Sequence, residues 1–370
     1  MMRLVLFVTP GFPRPSLTFT VSKFMGLLEK GWDVQVVTPQ SSAADWGHYP
    51  DLQRPEITSR VHVLPAPSAG GAKMVQQIAA LQPDLLHFEF QWPATRWISL
   101  MKQLGCKVTV GLQASEFDYT KPANFYSVLW ENADALHVLG QDIWRRVGRL
   151  GCPATMPHRI IPAAIDGDFW QANGRTHEFV VGTAERPLRL ISVARLEWKK
   201  GYEDAFQVVR LLLDQGIHCE YDIIGEGKYA DALHVARQQL GLTEVVQFWG
   251  SHSRYQVRDA LRHADIFLHT AVAEGFCYAA LEAQAMQLPV VCSDADGLPE
   301  NVAPEQTGFV LPRRDIQAMA AKVKLLAATP ALRQQMGQAG SIRVQTQFQA
   351  ERQIDAFADF YQWVMADCPK

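Results

Sequence analysis

Short runs rich in Val, Leu and Ile alternate with longer segments of helical period along almost the whole chain. That alternation restricts the fold more than any other feature. Leu4–Val8, Val34–Thr38, Val61–Leu64, Leu85–Phe88, Val108–Leu112, Ala135–Leu139 and Arg159–Ile161 read as strands. Between most of them lie helical patterns, such as Phe19–Lys30, which stops at Gly31, a residue suited to a left-handed cap. Strand–helix–strand alternation with near-continuous apolar strands predicts a parallel sheet covered by helices on both faces.

The pattern breaks over residues 166–187 (DGDFWQANGRTHEFVVGTAERP), which are polar, Gly-containing and without a period. It restarts at Leu190–Val193 and continues through Tyr221–Ile224, Val245–Phe248, Ile266–His269 and Val290–Cys292, with helical segments at 201–215, 229–240, 255–262 and 277–286. The expectation is therefore α/β: two doubly wound Rossmann-like domains, 1–165 and 188–349, joined by a linker at 166–187. The amphipathic segment 350–366 is expected to pack back on the first domain. A chain of 370 residues accommodates two such domains at about 150 residues each. Ligands in open parallel sheets bind beyond the carboxyl ends of the strands. The residues that follow each strand, facing a cleft between the domains, are the ones to inspect.

Charge and cysteine usage exclude several classes. A formal net charge of -3 argues against a nucleic-acid binder, which needs a basic surplus. Residues 1–165 hold 15 Lys/Arg against 12 Asp/Glu, so the basic side of the balance falls in the first half. Arg145, Arg146 and Arg149 fall on one helical segment. They form either a solvated face or a contact for anionic lipid at a membrane surface. The six cysteines, at 106, 152, 219, 277, 292 and 368, form no Cys-x-x-Cys pair and no zinc spacing. Most sit in apolar runs, the pattern of a reduced, cytoplasmic chain. No apolar run approaches the roughly 20 residues of a membrane helix.

The most informative stretch is Asp265–Pro299, DIFLHTAVAEGFCYAALEAQAMQLPVVCSDADGLP. A strand leads into a loop carrying Glu274 and Gly275, then into a helix carrying Glu282. The first turn of a helix leaves backbone N–H groups free at its positive dipole end, which suits phosphate. Gly275 permits close backbone approach, and a carboxylate within the helix can accept bonds from vicinal hydroxyls. Upstream, Arg195 follows a strand, and Lys200-Gly201 opens a helix. A guanidinium binds phosphate oxygens bidentately and a lysine adds a compact charge.

This stretch resembles the nucleotide-sugar site of glycosyltransferase family 4. That family's pattern is a Glu, seven residues, a second Glu, an Ala-rich helix and Pro-Val-Val. The run EGFCYAALEAQAMQLPVVCSDADGLPENV is especially similar to bacterial exopolysaccharide and capsule glycosyltransferases. The resemblance implies a GT-B fold and a retaining, metal-independent transfer of sugar from a nucleotide-diphosphate donor, UDP-sugar by default and GDP-sugar second. The acceptor would be a glycan or a lipid-linked sugar, with no cofactor. Glu274 would orient the transferred sugar, Arg195 and Lys200 would hold the diphosphate, and Glu282 would accept from the ribose. The N–H groups of Gly275, Phe276 and Cys277 would face sugar and phosphate, with Cys277 standing where the family often has Gly. Gly225 and Gly227 would leave room for the nucleotide, and Ser251 and His252 would read the base through their backbones. Lys199 is expected at the surface.

The first half departs further from the pattern. Gly11 and Ser16 lie in a turn similar to Phe-Pro-x-x-Ser-Glu-Thr-Phe, with Leu17 in place of Glu. Gln113 stands where the family has a His that contacts donor sugar or acceptor, and Glu116 replaces Asp. His87, with Glu89 after it, is either a cleft residue or a satisfied core histidine. Two further classes remain open: an epimerase, hydrolase or phosphorylase on the same fold, and a non-catalytic nucleotide-sugar-binding protein.

Overall fold

The computed structural model describes residues 2–14, 17–65, 71–113, 121–122, 124–172 and 179–366. Two compact units divide the chain: residues 1–163 with 350–370, and residues 164–349. Ser16, Glu116 and Cys368 lie outside the described residues.

The first unit is built on seven parallel strands: β1 (Arg3–Phe7), β2 (Asp33–Thr38), β3 (Val61–Val63), β4 (Leu85–Phe88), β5 (Lys107–Leu112), β6 (Ala135–Val138) and β7 (His158–Ile160). Their order in the sheet is β3-β2-β1-β4-β5-β6-β7, which reverses between β1 and β4. The second unit carries six parallel strands: β8 (Leu188–Val193), β9 (Cys219–Ile224), β10 (Val246–Phe248), β11 (Ile266–His269), β12 (Val290–Ser293) and β13 (Gly308–Leu311). Its order is β10-β9-β8-β11-β12-β13, which reverses between β8 and β11. Each of the twelve expected strands falls on one of these. β13 was not anticipated, because Gly308 opens it and only four residues follow the ladder. The Cβ of any other residue at 308 would meet the Val290 carbonyl oxygen at 2.0 Å.

Both sheets are buried on both faces, as the apolar strands require: Leu4, Leu6, Leu86, Val108 and Val110 have no exposure in one, nor have Leu190, Ile266, Leu268 and Val291 in the other. The helix Ala350–Ala366 belongs to the first unit, where Phe357, Phe360, Tyr361 and Val364 enter its core. Among the described residues no helix is long and apolar enough to cross a membrane.

The interior of the first unit holds an ion pair that the apolar pattern does not announce. Lys23, on the helix Thr18–Glu29, donates to both carboxylate oxygens of Glu89 at 2.9 and 2.8 Å, with the two side chains 1% and 0% exposed. Its ammonium also lies 3.6 Å from the centre of the Phe357 ring. Burial pulls the Lys23 pKa down, against the pull of Glu89. The basic face expected on the helix Gln141–Arg149 is not one face. Arg146 is 5% exposed and bonded to Asp142 at 2.5 Å, so only Arg145 and Arg149 reach solvent.

Removing one partner of a buried pair strands the other charge, whereas replacing both by apolar groups removes the desolvation cost as well. Lys23→Met is expected to lower stability by about 3–5 kcal/mol. Lys23→Met combined with Glu89→Leu should recover most of that loss. Calorimetric melting of the full chain measures both, and a single variant as stable as the parent would show that the pair contributes nothing.

Candidate functional site

The sheet of the second unit reverses direction between β8 and β11, and a crevice opens beyond the carboxyl ends of strands at such a point. The segment after β8 runs Ala194-Arg195-Leu196-Glu197 into the 3-10 turn Trp198–Lys200. The segment after β11 runs Thr270–Phe276 into the helix Tyr278–Ala285. Backbone bonds tie the two together: the N–H groups of Val272 and Ala273 donate to the Lys199 carbonyl at 2.8 and 3.3 Å. The Thr270 hydroxyl donates to the Gly201 carbonyl at 2.7 Å. Gly201 makes this approach possible. It sits at φ +65, and a Cβ there would lie 2.1 Å from the Thr270 carbonyl oxygen.

This tie brings Lys200 onto Glu274. The ammonium lies 2.5 Å from Oε2, and the two side chains are 11% and 10% exposed. His269, the last residue of β11 and 2% exposed, places Nε2 at 2.9 Å from the same oxygen. The second oxygen, Oε1, accepts from the backbone N–H of Gly275 at 3.0 Å, and the Glu274 N–H donates to Asp296. Burial alone would push the Glu274 carboxyl up; Lys200 and His269 outweigh it and hold the group well below the usual carboxylate range. Burial likewise opposes the charged form of His269. The adjoining Cys277 and Glu274 outweigh that and lift it to about 9. Lys200 is raised: burial opposes its charge, and Glu274 more than compensates.

Among the described residues, one set of His, Glu and Cys ligand atoms lies within 4.8 Å of one another: His269, Glu274 and Cys277. The Lys200 ammonium already occupies the carboxylate of that set, so a metal ion entering it would meet a fixed positive charge. The group is an ion-pair cluster in its electrostatics.

Cys277 precedes the helix at φ +68 and supplies no side-chain cap, so the orphan N–H groups of the first turn are left to other partners. Asn301, fully buried, fastens this corner by donating to the carbonyls of Phe276 and Cys277 at 2.7 and 2.8 Å. Phe276 is core, packed on Phe348 at 5.7 Å between ring centres. One helical segment on, Glu282 is half-buried, and no hydrogen bond reaches its carboxylate among the described residues. Burial pushes it up to about 7, partly offset by Arg254.

Several expected residues sit differently from their sequence reading. Arg195 is exposed and paired with Glu197 at 2.6 Å rather than turned onto the Lys200–Glu274 pair. Lys199 is 9% exposed and faces Glu197 at 3.3 Å, so it is no surface lysine. The space beside Gly225 and Gly227 is filled by main chain: a Cβ at either would meet the carbonyl oxygen of Ala194 or Leu196 at 2.0 and 2.1 Å. Their absent side chains let the turn after β9 pack on the Arg195 segment. A hollow of about 470 Å³ opens next to that turn, lined by Leu196, Glu226, His234, Phe248 and Gly250. Ser251 is at the surface beyond it, its N–H donating to Glu226, and His252 is partly exposed.

In the first unit, Gly11 is buried against the Gln40 carbonyl at 3.1 Å from its would-be Cβ. Gln113 is 8% exposed and donates to the Glu89 carbonyl and carboxylate at 3.1 and 3.2 Å. His87 is a core histidine, not a site residue: it has no exposure, it bonds Thr109 at 2.9 Å, and burial holds its pKa well below the usual value. Sequence reasoning missed His269, Gly201 and Asn301. A polar residue closing the apolar run Ile266–His269 was the available signal for the first.

Residues 174–343 match the family described as Glycosyl transferases group 1, and residues 22–164 match the Glycosyl transferase 4-like domain. The amylovoran biosynthesis glycosyltransferase AmsK of Erwinia amylovora is 36% identical, over 85% of this chain and 88% of its own length. The chain therefore belongs to the group 1 glycosyltransferases, family 4. The putative colanic acid biosynthesis glycosyltransferase WcaL of Salmonella typhimurium is 32% identical over 205 residues, 54% of this chain. That match spans about half of the relative, 48% of its length. The structure of Alr3699/HepE from Anabaena in complex with UDP-glucose superposes with a TM-score of 0.81 at 15% identity, covering 98% of this chain and all of that one. The fold is GT-B: α/β, with two parallel sheets of seven and six strands.

Glu282 yields a stability test. Its folded value of about 7 exceeds the ordinary 4.5, so the folded state binds more protons between those values, and stability falls as pH rises through that window. Glu282→Gln mimics the protonated form. It should leave the melting temperature unchanged near pH 4.5 and raise stability by roughly 1–3 kcal/mol at pH 8. Equal stability of variant and parent at pH 8 would refute the assignment.

Proposed function

We propose that the chain is a retaining glycosyltransferase that moves a sugar from a nucleotide-diphosphate donor, a UDP-sugar, to a glycan or lipid-linked acceptor in polysaccharide synthesis. The observation that carries the reading is the Lys200–Glu274 pair at the switch point of the second sheet, followed eight residues later by the carboxylate of Glu282, which accepts no hydrogen bond from the described residues. A half-buried carboxylate without a donor is poised to accept from the vicinal hydroxyls of a ribose. The uncapped first turn at Cys277 suits a phosphate. Relatives named for amylovoran and colanic acid synthesis, and a fold neighbour bound to UDP-glucose, support the same substrate class.

In this reading the departing diphosphate is stabilised by Lys200, by the helix amides and by Arg195, which leaves Glu197 to reach it. The bond between the anomeric carbon and the phosphate oxygen breaks through an oxocarbenium-like state. The acceptor hydroxyl attacks from the same face and gives its proton to a donor phosphate oxygen. Glu274 stays ionised under its two cationic neighbours, so it orients sugar hydroxyls and does not serve as a general base. No metal is called for, because Arg195 and Lys200 carry the neutralising charge. An epimerase or hydrolase on the same fold would release product without an acceptor alcohol, and product analysis separates it from a transferase.

Thermal shift against a panel of UDP- and GDP-sugars should find a UDP-sugar that stabilises the protein. With that donor, Lys200→Ala and Glu274→Ala are expected to lower turnover by about 10²–10³-fold, and Arg195→Ala by about tenfold or more. No stabilisation by any nucleotide-sugar would sink the reading. Full activity in all three variants would sink the site.

A further inference from the structure

We propose that His269 is a positioning residue for sugar transfer: it fixes the Glu274 carboxylate against Lys200 and so determines which carboxylate oxygen meets the sugar. This rests on the transferase reading above. His269 itself is 2% exposed and acts through Glu274.

The geometry of the carboxylate is the argument. Two donors, the Lys200 ammonium at 2.5 Å and the His269 Nε2 at 2.9 Å, converge on Oε2. Oε1 has one bond, from the Gly275 N–H at 3.0 Å, and keeps acceptor capacity. Lysine alone would not make this choice, because a flexible ammonium can move between two equivalent oxygens. The imidazole cannot follow: it stands on the last residue of β11, in register with Cys292 of β12, and stacks on Phe267 at 6.1 Å between ring centres. A rigid donor on Oε2 fixes the rotation of the carboxylate and leaves Oε1 with the Gly275 N–H as its one partner. A buried histidine at a strand end costs stability unless it has such a partner. The groups around it are Glu274 from the loop, Cys277 from the helix start and Cys292 from β12. Glu274 and Cys277 favour the protonated ring.

The test compares the parent with His269→Gln and His269→Leu, using UDP and the UDP-sugar that most stabilises the parent. Leucine removes the donor, and glutamine keeps a neutral one. Turnover in His269→Leu is expected to fall about 10–30-fold, the loss of one charge-assisted hydrogen bond. The affinity for UDP, which lacks the sugar, should stay within about twofold. His269→Gln should regain most of the turnover. Undiminished turnover in His269→Leu would overturn the proposal, as would a parallel loss of UDP affinity or a His269→Gln variant no more active than His269→Leu. If the parent binds no nucleotide-sugar, the transferase reading fails and this proposal falls with it. If the parent turns over donor and the His269 variants match it, only this proposal fails.

Discussion

The contact between the segments after β8 and β11 is the constraint on which the second unit's site depends. Gly201, held at φ +65, lets the Thr270 carbonyl approach to a distance that any Cβ would forbid. That approach closes the backbone bonds from Val272 and Ala273 to Lys199. It brings together Lys200 and Glu274, which are 74 residues apart in sequence. Nearly buried charges at 2.5 Å are costly to leave unpaired, so once the loops meet the two side chains are committed to each other. The turn after β9 adds a further layer, with Gly225 and Gly227 packed on the carbonyls of Ala194 and Leu196. The site is thus a stack of three backbone segments held at contact distance by glycines, with one ion pair across the innermost joint.

Periodicity made the layers legible, and contact distance did not. A parallel sheet buried on both faces writes itself as repeated Val/Leu/Ile runs, so twelve strands could be read from the residues. β13 escaped because its four residues start at a glycine whose role is to admit the Val290 carbonyl. The Glu274 segment was legible because strand, loop and helix signals coincide there. Side-chain direction was not legible. Lys199 and Lys200 are adjacent and chemically alike, yet one faces Glu197 and the other Glu274. Arg146 looks like part of a basic stripe until the fold buries it on Asp142. His87 follows an apolar run just as His269 closes one. The first meets Thr109 in a core and the second meets a carboxylate at a strand end. Only the tertiary neighbours separate them.

The two units repeat one device with different outcomes. In each, a lysine pairs with a glutamate close to the strand at which the sheet reverses: Lys23 with Glu89 after β4, Lys200 with Glu274 after β11. In the first unit the pair is sealed. Both carboxylate oxygens take the ammonium, Gln113 adds a donor, and Phe357 covers the lysine. Nothing remains for a ligand, so that pair is structural. In the second unit the donors crowd one oxygen and leave the other with a single backbone bond. The difference between the sealed pair and the open one is unspent acceptor capacity.

The same criterion explains why the two glutamates of the motif are shifted in opposite directions. Glu274 is buried and Glu282 half-buried, and loss of water alone raises both. Glu274 has two cationic donors within hydrogen-bond reach, and they hold its carboxyl well below the usual range. Glu282 has only the weaker influence of Arg254 and is lifted to about 7, so near neutrality it carries a partly uncompensated desolvation cost. A ligand that brings hydroxyl donors to Glu282 removes that cost, whereas one brought to Glu274 meets a carboxylate already satisfied on one side. Divergent environments for two carboxylates in one strand–loop–helix unit therefore assign divergent duties. Under the proposed function the first is a fixed anion that orients the sugar. Under the same proposal the second is an acceptor still lacking donors, which a ribose would supply, and the gain from supplying them would grow as pH rises through its own titration.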